Sequence, residues 1–532
     1  MSYRILKSDP SPLMERYGIS CLSAASIAAS SLSKEQIIDL LDPSDQLTVS
    51  TCEALDKVCR RIMEAGKNRE KVFIAGDYDA DGICSTAIMK DILDRLGIEN
   101  GYYIPDRFKE GYGLSSAIVS LAEKKGYRLI ITVDNGVKCF ESIQLAKSLG
   151  MDVIVTDHHQ IEEPVPGDLL LHPDVMEDRY AYLSGAGVVL EISRALLGSV
   201  PSHTALACIA LIGDVMPLWK ETRKIVRRGM IELEHGALPA VSALLKDPGS
   251  VDVTAVSFQI VPKLNSVGRM DDQSNVNTLV PFLLCSDPVR IAKYAKQLES
   301  VNNARRRRSD AMVKKALTLE ADDPFPIVFD ESFFEGVNGL AAGKLARQWH
   351  KPVLVFARHD QLLKGSGRSI AGFDMYSFFA GFDELEQFGG HTGAVGLSVR
   401  EDRFSAFCDH VQARMKETAL PSEVKDPAFL IDDSHLNIEE IMEFESLRPY
   451  PRELVTHAAI RKPLLQKVNA YDRVIRYHFT NETGGYDGIQ FTSSRTEPER
   501  EIRWLIGTPG INRFRSHIGA EIRIEAFDGD LD

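Results

Sequence analysis

Three short runs, Val72-Phe-Ile-Ala75, Leu129-Ile-Ile-Thr-Val133 and Val153-Ile-Val-Thr156, are apolar or β-branched throughout instead of alternating with polar residues. Such runs fit strands buried on both faces of a parallel sheet. Between them lie segments of helical period, from Ile83 to Leu96 with Gly97 as the stop, and from Glu141 to Leu149 with Gly150 as the stop. Strand–helix–strand alternation predicts an open α/β sheet. Upstream, residues 1–65 read as an amphipathic helical segment in which Leu40-Leu-Asp-Pro43 closes one helix.

Farther along, Asp287 to Leu319 reads as one long, charge-rich helix that Asp322-Asp-Pro-Phe-Pro326 ends. A second α/β unit follows, with strands at Ile327–Phe329 and Val353–Phe356 and a helix from Gly339 to His350 between them. Past a break at Pro421 to Pro427, short alternating segments such as Val474–Phe479 and Glu521–Glu525, with Gly-rich turns, predict a small β-barrel. The pattern divides the chain at 1–65, 66–285, 286–320, 321–420 and 426–532. The last break lies beyond every candidate ligand named below, so a cut near Ser422 is expected to leave the catalytic part intact.

Composition narrows the class. At roughly 100–200 residues per domain, the 532 residues correspond to about three domains. With 44% hydrophobic and 26% charged residues the chain is globular, and no run approaches the roughly 18 apolar residues of a membrane span. Its N-terminus lacks the sustained apolar core of a signal peptide. Eight scattered cysteines without a Cys-x-x-Cys pair encode neither a zinc knuckle nor a disulfide framework, which points to a reducing cytoplasm. The net charge of −14 does not by itself favour nucleic acid, yet Arg448 to Arg523 carries 13 Lys/Arg against 8 Asp/Glu. Tyr471, Tyr477, Phe479, Tyr486, Phe491, Trp504 and Phe514 are interspersed there. Rings beside a basic groove are what single-strand binding needs, although most of these rings are expected in the barrel core.

Each central apolar run ends in an acidic motif: Gly76-Asp77-Tyr78-Asp79-Ala80-Asp81-Gly82, then Asp134-Asn135-Gly136, then Asp157-His158-His159. In open α/β sheets function gathers at the carboxyl ends of the strands, so these residues should converge. So many carboxylates would not stay ionised together without a cation. Mixed oxygen and imidazole ligation suits Mn²⁺ foremost and Mg²⁺ second. Two ions roughly 3.5–4 Å apart would let one activate water while both hold a phosphoryl oxygen. Each motif alone is weak, because Asp-x-Asp-x-Asp-Gly also occurs in calcium loops and a His pair is often incidental. Lys90 and Asp91 stand near where a calcium loop would place its bidentate Glu. The three motifs in order, each at a strand end, carry the inference.

With Ile212-Gly-Asp-Val215, these motifs resemble the four successive motifs of the DHH phosphoesterases. Ile104-Pro-Asp-Arg-Phe-Lys-Glu-Gly-Tyr-Gly-Leu114 and Pro262-Lys-Leu-Asn-Ser-Val-Gly-Arg269 resemble stretches of the RecJ branch. So do Phe334-Glu-Gly-Val-Asn-Gly-Leu340, Gly365-Ser-Gly-Arg-Ser369 and Phe388-Gly-Gly-His391. The resemblance spans about residues 35–400. It implies an open parallel-sheet DHH catalytic domain over 66–285, a connecting helix, and a smaller DHHA1-type substrate domain over 321–420. By position and strand character alone, 426–532 resembles an OB-like nucleic-acid-binding domain. The implied activity is metal-dependent 5′-to-3′ degradation of single-stranded DNA in repair and recombination. Single-stranded DNA is the implied partner, a helicase or single-strand-binding protein are candidate protein partners, and no membrane is involved.

In that scheme two divalent metal ions are held by Asp77, Asp79 and Asp81, with Asp134 bridging them and His158 and Asp214 completing the second. His159 touches the phosphate or leaving group, and Asp134, His159 and Asp81 form the catalytic set. Small relatives that cleave short oligonucleotides or cyclic dinucleotides begin the first motif with a His. Ala75 stands near that place here, as in the RecJ form.

Arg107, Arg269, Arg368, Ser369, Gly390 and His391 lie in Gly-flanked segments outside the metal motifs. Arginine forks match phosphate oxygens and glycines let backbone amides approach an anion, so the resemblance makes these the anchor for a 5′ terminus. Arg305-Arg-Arg-Arg308 either contacts DNA or lies on a solvated helix face. Three other readings stand: a phosphodiesterase for short RNA or cyclic dinucleotides, a catalytically inactive replication scaffold, and an enzyme acting mainly on RNA.

Overall fold

Residues 3–6, which the sequence pattern assigns to a helical segment, form a strand instead, β1 (Tyr3–Leu6). Four residues are too few to display a periodicity. What decides their state is a parallel partner near the other end of the chain, in register from Tyr3↔Asp426 to Leu6↔Phe429, with Tyr3 and Ile5 buried between elements. The structure is a computed structural model that describes residues 2–107, 110–111, 113–270, 272–318, 323–421, 424–492, 499, 501–514 and 517–531. Residues Phe108, Lys109 and Tyr112 of the Ile104–Leu114 stretch, the end of the long helix at Leu319, Asp322 and the expected cut site at Ser422 lie outside the described residues.

By compactness the chain forms two units: Arg61–Leu170 with Gly236–Val424, and Met1–Arg60 with Leu171–His235 and Lys425–Asp532. The unit holding the acidic motifs contains two sheets. In the first, β2 (Lys71–Ala75), β3 (Asn100–Tyr103), β4 (Tyr127–Val133), β5 (Asp152–Thr156) and β6 (Leu169–Leu171) lie in the order β3-β2-β4-β5-β6. The pairs β2–β3, β2–β4 and β4–β5 are parallel. The apolar runs are its central strands: Val72, Ile74, Leu129, Ile130, Ile131 and Val153 have no more than traces of exposure. The second sheet has the order β10-β11-β9-β8-β7, from β7 (Ile327–Phe329), β8 (Val353–His359), β9 (Leu362–Arg368), β10 (Leu385–His391) and β11 (Ala394–Arg400). The 29-residue helix Pro288–Ala316, capped by the Asp287 side chain, precedes it in the chain. A core of phenylalanines including Phe325, Phe356, Phe379 and Phe407 fills one side of this sheet.

The other unit is one nine-stranded sheet with helices packed on it. Its strands are β12 (Asp426–Leu430), β13 (Ala458–Arg461), β14 (Leu464–Ala470), β15 (Val474–Thr480), β16 (Tyr486–Phe491), β17 (Trp504–Phe514), β18 (His517–Ala526) and β19 (Asp530–Leu531), together with β1. The order is β14-β15-β16-β18-β17-β13-β12-β1-β19. Its mostly antiparallel C-terminal strands are consistent with an OB-like fold. This unit overturns the expectation that a cut near residue 422 leaves the rest undisturbed. Trp219, Leu22 and Leu40 share one core with Phe429, Phe444 and Tyr477. Arg223, fully buried, donates to the carbonyls of Leu40, Leu447 and Pro449. Removing the C-terminal strands would strip the N-terminal helices and residues 171–235 of their core.

Candidate metal centre and anion pocket

From β2 the chain turns through Gly76-Asp77-Tyr78-Asp79 into the helix Ala80–Arg95. Two glycines are forced by crowding: a Cβ at Gly76 would lie 2.1 Å from Thr86 Oγ1, and one at Gly82 would lie 2.5 Å from the Asp77 carbonyl oxygen. Asp79 is the helix cap, its Oδ1 accepting from the amides of Asp81 and Gly82 at 3.0 and 3.1 Å. The Ala80 amide donates to Asn265 Oδ1 at 2.7 Å, tying the helix Val261–Arg269 to the acidic loop.

Asp134 follows β4 with φ 61°, a left-handed conformation that costs a non-glycine residue and that Asp tolerates better than most. Asn135 Nδ2 donates to the carbonyls of Ala75 and Val133 and so stitches the ends of β2 and β4 together. After β5, Asp157 accepts from the amides of Val137, His158 and His159. Its Oδ1 also lies 2.8 Å from His159 Nδ1. An ionised carboxylate only accepts, so Nδ1 carries the proton. His158 Nε2 lies 3.2 Å from Asp134 Oδ1 and 3.6 Å from Asp81 Oδ2.

The electrostatics call for a cation. Burial first, then the Asp79 charge, push the Asp77 carboxyl up to about 8. Burial and Asp81 raise Asp79, while burial, Asp81, Asp79 and Asp77 raise Asp134 well above the usual carboxylate range. Burial holds His158 below its ordinary value and therefore neutral. Asp157 differs: burial opposes its charge, but the His159 ring and the backbone amides outweigh burial and lower it. Asp77 Oδ1 and Asp134 Oδ1 are buried without a hydrogen bond, a state that costs free energy unless a cation compensates it. Ligand atoms of Asp77, Asp79 and Asp134 lie within 4.8 Å of one another, as do those of Asp134, His158 and His159. Both groups can hold a metal ion, and Asp134 belongs to both. Asp214 lies in the other unit, exposed, where its amide closes the helix Pro201–Gly213 on the Ala210 carbonyl.

Beside the acidic loop the charge changes sign. The Arg107 guanidinium lies 5.1 Å from the centroid of the Tyr78 ring, whose chain neighbours are Asp77 and Asp79. Arg269 has no acidic partner among the described residues. Burial, then the charge of Arg107, with Arg305 and Arg368 adding to it, bring its guanidinium down to about 10. Burial and Arg107 lower Arg368; burial and Arg306 lower Arg305, whose Nε is buried without a hydrogen bond. These arginines gather like charges that lower one another's basicity, an arrangement an anion could neutralise. Glycines make room for them: a Cβ at Gly336 would lie 2.1 Å from the Arg269 carbonyl oxygen, and one at Gly339 would lie 2.9 Å from Arg368 Nη2.

Ser369 uses its hydroxyl on the Phe373 carbonyl at 2.6 Å and its amide on the Gly393 carbonyl at 3.0 Å, so both donors are spent within the fold. Gly390, with φ 144°, cannot carry a Cβ, which would meet the Ala394 carbonyl oxygen at 2.3 Å. His391 is exposed on the same cross-strand row as Arg368, through Ala394. Arg308 pairs with Asp272 and covers the Phe334 ring, while Arg306 and Arg307 are exposed. Asn135, Asp157, Asn265 and Arg305 are absent from the sequence-derived set of ligands. Asp157 and Asn265 stand inside the acidic and Gly-Arg motifs of the chain, but only contacts reveal that they orient neighbours. Of the seven C-terminal rings, Tyr477, Phe479, Tyr486 and Trp504 are buried, Tyr471 and Phe491 are more than 60% exposed, and the Phe514 side chain is outside the described residues. Arg523 covers Phe491 at 5.7 Å.

The DHH family, N-terminal domain, matches residues 71–213, and the DHHA1 domain matches residues 323–417. Fold and site thus define the class, a DHH phosphoesterase with a DHHA1 domain. The single-stranded-DNA-specific exonuclease RecJ of Salmonella typhimurium (strain LT2) is 30% identical over 98% of this chain and 96% of its own length. The chain belongs to the RecJ family. RecJ of Bacillus subtilis (strain 168) is 29% identical over 92% of this chain, which spans 64% of that longer relative. The fold also matches the crystal structure of RecJ in complex with Mn²⁺ from Thermus thermophilus, with a TM-score of 0.81 and 22% identity, over 99% of this chain and 80% of that one.

Proposed function

We propose that this chain hydrolyses phosphodiester bonds of single-stranded DNA one nucleotide at a time from a 5′ end. The observation that carries this reading is the adjacency of two opposite charge zones across Tyr78, a largely buried cluster of acidic and imidazole groups and a cluster of arginines in which Arg269, Arg305 and Arg368 are half-buried and Arg107 is exposed. A phosphodiester end needs both: an anchor for the terminal phosphate and a site for the scissile one.

Asp77, Asp79 and Asp134 would hold one divalent ion, and Asp134 with His158 the other, with Asp81 beside His158. Asp214 joins this set on its motif alone. Mn²⁺ is the foremost candidate, as in the Thermus thermophilus structure, with Mg²⁺ second. Bound there, the ions supply an activated water and neutralise charge on the scissile phosphate. Asp157 fixes the tautomer and orientation of His159, whose Nε2 then faces the phosphate or the departing oxygen. Arg107, Arg269 and Arg368 grip a 5′-phosphate through charge-assisted hydrogen bonds. Exposed Phe491 and Tyr471 offer stacking platforms to the strand farther from its end.

Such an enzyme would act in the cytoplasm, where its eight free cysteines stay reduced, on strands exposed by a helicase or released from a single-strand-binding protein. A time course with Mn²⁺ or Mg²⁺ on matched DNA and RNA strands labelled at either end tests the proposal. Early release of labelled mononucleotide from the 5′-labelled DNA is expected. Release from the 3′ end, internal cuts or faster loss of RNA would overturn it.

A further inference from the structure

The turn that carries Arg107 leaves the first sheet from its edge strand, β3. β3 pairs with β2 as far as Ala75↔Tyr103, and the Gly76 amide donates to the Tyr103 carbonyl at 3.0 Å. At Ile104 the ladder ends. Ile104 is fully buried, so its amide and carbonyl need partners, and both find them in one side chain. Asn277 Oδ1 accepts from the Ile104 amide at 2.8 Å, and Asn277 Nδ2 donates to the Ile104 carbonyl at 2.8 Å. A side-chain amide carries donor and acceptor in one plane, so it stands where the peptide group of a further strand would. Its direction is fixed from its own turn, because Nδ2 also donates to Asn275 Oδ1 at 3.2 Å. The Tyr102 hydroxyl adds a bond to the Asn277 carbonyl at 2.9 Å.

Beyond Ile104 the turn borders a cavity of about 410 Å³, lined by Pro105 and Arg107 and also by Val267, Gly268 and Asn275. Packing on that side is incomplete, and hydrogen bonds hold the turn: Glu110 Oε2 accepts from the Asp106 amide and from the Tyr103 hydroxyl, each at 2.8 Å. Arg107 itself is exposed, and its charge acts against those of Arg269 and Arg368. This repulsion drives Arg107 and its turn away from the other two arginines. The two bonds to Asn277 oppose it.

The segment that holds Ile104 also holds the acidic loop. Asn265 accepts from the Ala80 amide at 2.7 Å, a Cβ at Gly268 would lie 2.8 Å from the Tyr78 carbonyl oxygen, and Arg269 follows. Residues 265–277 thus brace the acidic loop, carry one arginine and fix the turn that carries another. We propose that Asn277 is a positioning residue for recognition of the 5′ end: by pinning Ile104 it keeps Arg107 beside Arg269 and Arg368, so that the guanidinium groups meet the phosphate already arranged. This role rests on the reading of these arginines as the site of the 5′-phosphate. Asn277 acts through Arg107 and not on the strand itself.

A double-mutant cycle on the full chain tests it. Asn277→Ala removes both bonds at a half-buried position, and Asn277→Asp keeps the acceptor but sets a carboxylate oxygen against the Ile104 carbonyl. Each is expected to raise KM for a 5′-phosphorylated strand about tenfold, with a much smaller change in kcat, as when one charge-assisted contact is lost. The preference for a 5′-phosphate over a 5′-hydroxyl should narrow by the same factor. Arg107→Ala should narrow it at least as far, and adding Asn277→Ala to Arg107→Ala should change it by less than about twofold, since the two residues act as one unit. An unchanged preference in Asn277 variants that melt like the wild type would overturn the positioning role and leave the exonuclease reading standing. So would full additivity with Arg107→Ala, or equal losses on both strands, which mark a purely structural residue. A wild type indifferent to the 5′-phosphate would overturn the reading of the arginines themselves, and the role of Asn277 with it.

Discussion

Asp134 Oδ1 stands 3.2 Å from His158 Nε2, bringing together the ends of two neighbouring parallel strands. Asp134 reaches this position from a left-handed backbone, and its buried Oδ1 accepts no hydrogen bond. It also belongs to two of the groups able to hold an ion. Asp134→Ala is expected to lower turnover by several orders of magnitude while far-UV circular dichroism stays that of the native fold. Without added metal its melting temperature should equal or exceed that of the wild type, because a repelling buried charge is gone. Mn²⁺ should raise the melting temperature of the wild type far more than that of the variant.

The same carboxylates make metal binding proton-linked. Asp77 moves from an ordinary 3.8 up to about 8 in the folded, metal-free protein. Between those values the folded state holds a proton that the unfolded state has released, so metal-free stability falls as pH rises through that window. The metal ion requires the ionised form and displaces that proton. Mn²⁺ affinity measured by calorimetry should therefore rise steeply from pH 5.5 to 8, by up to about tenfold per pH unit for each proton displaced. Proton release on binding should be visible as a dependence of the heat on the buffer. A flat affinity across this range would contradict the linkage.

Gly336 and Gly339 separate two kinds of crowding. An alanine at 336 would press on the backbone carbonyl of Arg269, which cannot retreat, whereas one at 339 meets the movable end of the Arg368 side chain. Gly336→Ala should cost about 1–3 kcal/mol in chemical denaturation, as overpacking does, and Gly339→Ala much less. Both should narrow the preference for 5′-phosphorylated over 5′-hydroxyl strands. Arg269→Ala should narrow it most, by about one to two orders of magnitude, since a charge-assisted hydrogen bond contributes roughly 1.5–3 kcal/mol.

Deleting everything after residue 424 is expected to give an aggregating protein and not a trimmed enzyme, because Arg223, Trp219 and β1 lose their buried partners. Phe491→Ala combined with Tyr471→Ala tests the same unit without that damage, both rings being exposed. At roughly 1–3 kcal/mol per stacked base, affinity for a long single strand should fall tenfold or more. Cleavage of a trinucleotide should barely change. Equal affinity of the double variant for long strands would remove these rings from the path.

Much of the site was legible in the chain because its logic is local. Strands buried on both faces of a parallel sheet must be continuous apolar runs, and ligands on such sheets follow the last strand residue. Val133 followed by Asp134, and Thr156 followed by Asp157 and His158, therefore declare themselves without a structure. The glycines around Arg269 and Arg368 likewise flag close approach, though not to what. Other features depend on which distant segments meet. Tyr3–Leu6 is a strand because Asp426–Phe429 on one side and Asp530–Leu531 on the other offer it free backbone groups. Asp157, held ionised by the His159 ring and by nearby backbone amides, in turn orients that ring. Ser369 spends its donors on the Phe373 and Gly393 carbonyls, and the charge of Arg305 acts on Arg269 although its three arginine neighbours in the chain give no sign of it. Residues 171–235 join the C-terminal strands through a shared core that no linear boundary announces. Periodicity records how one segment meets its surroundings. The identity of the partner is set by contacts among segments hundreds of residues apart, and only folding selects it.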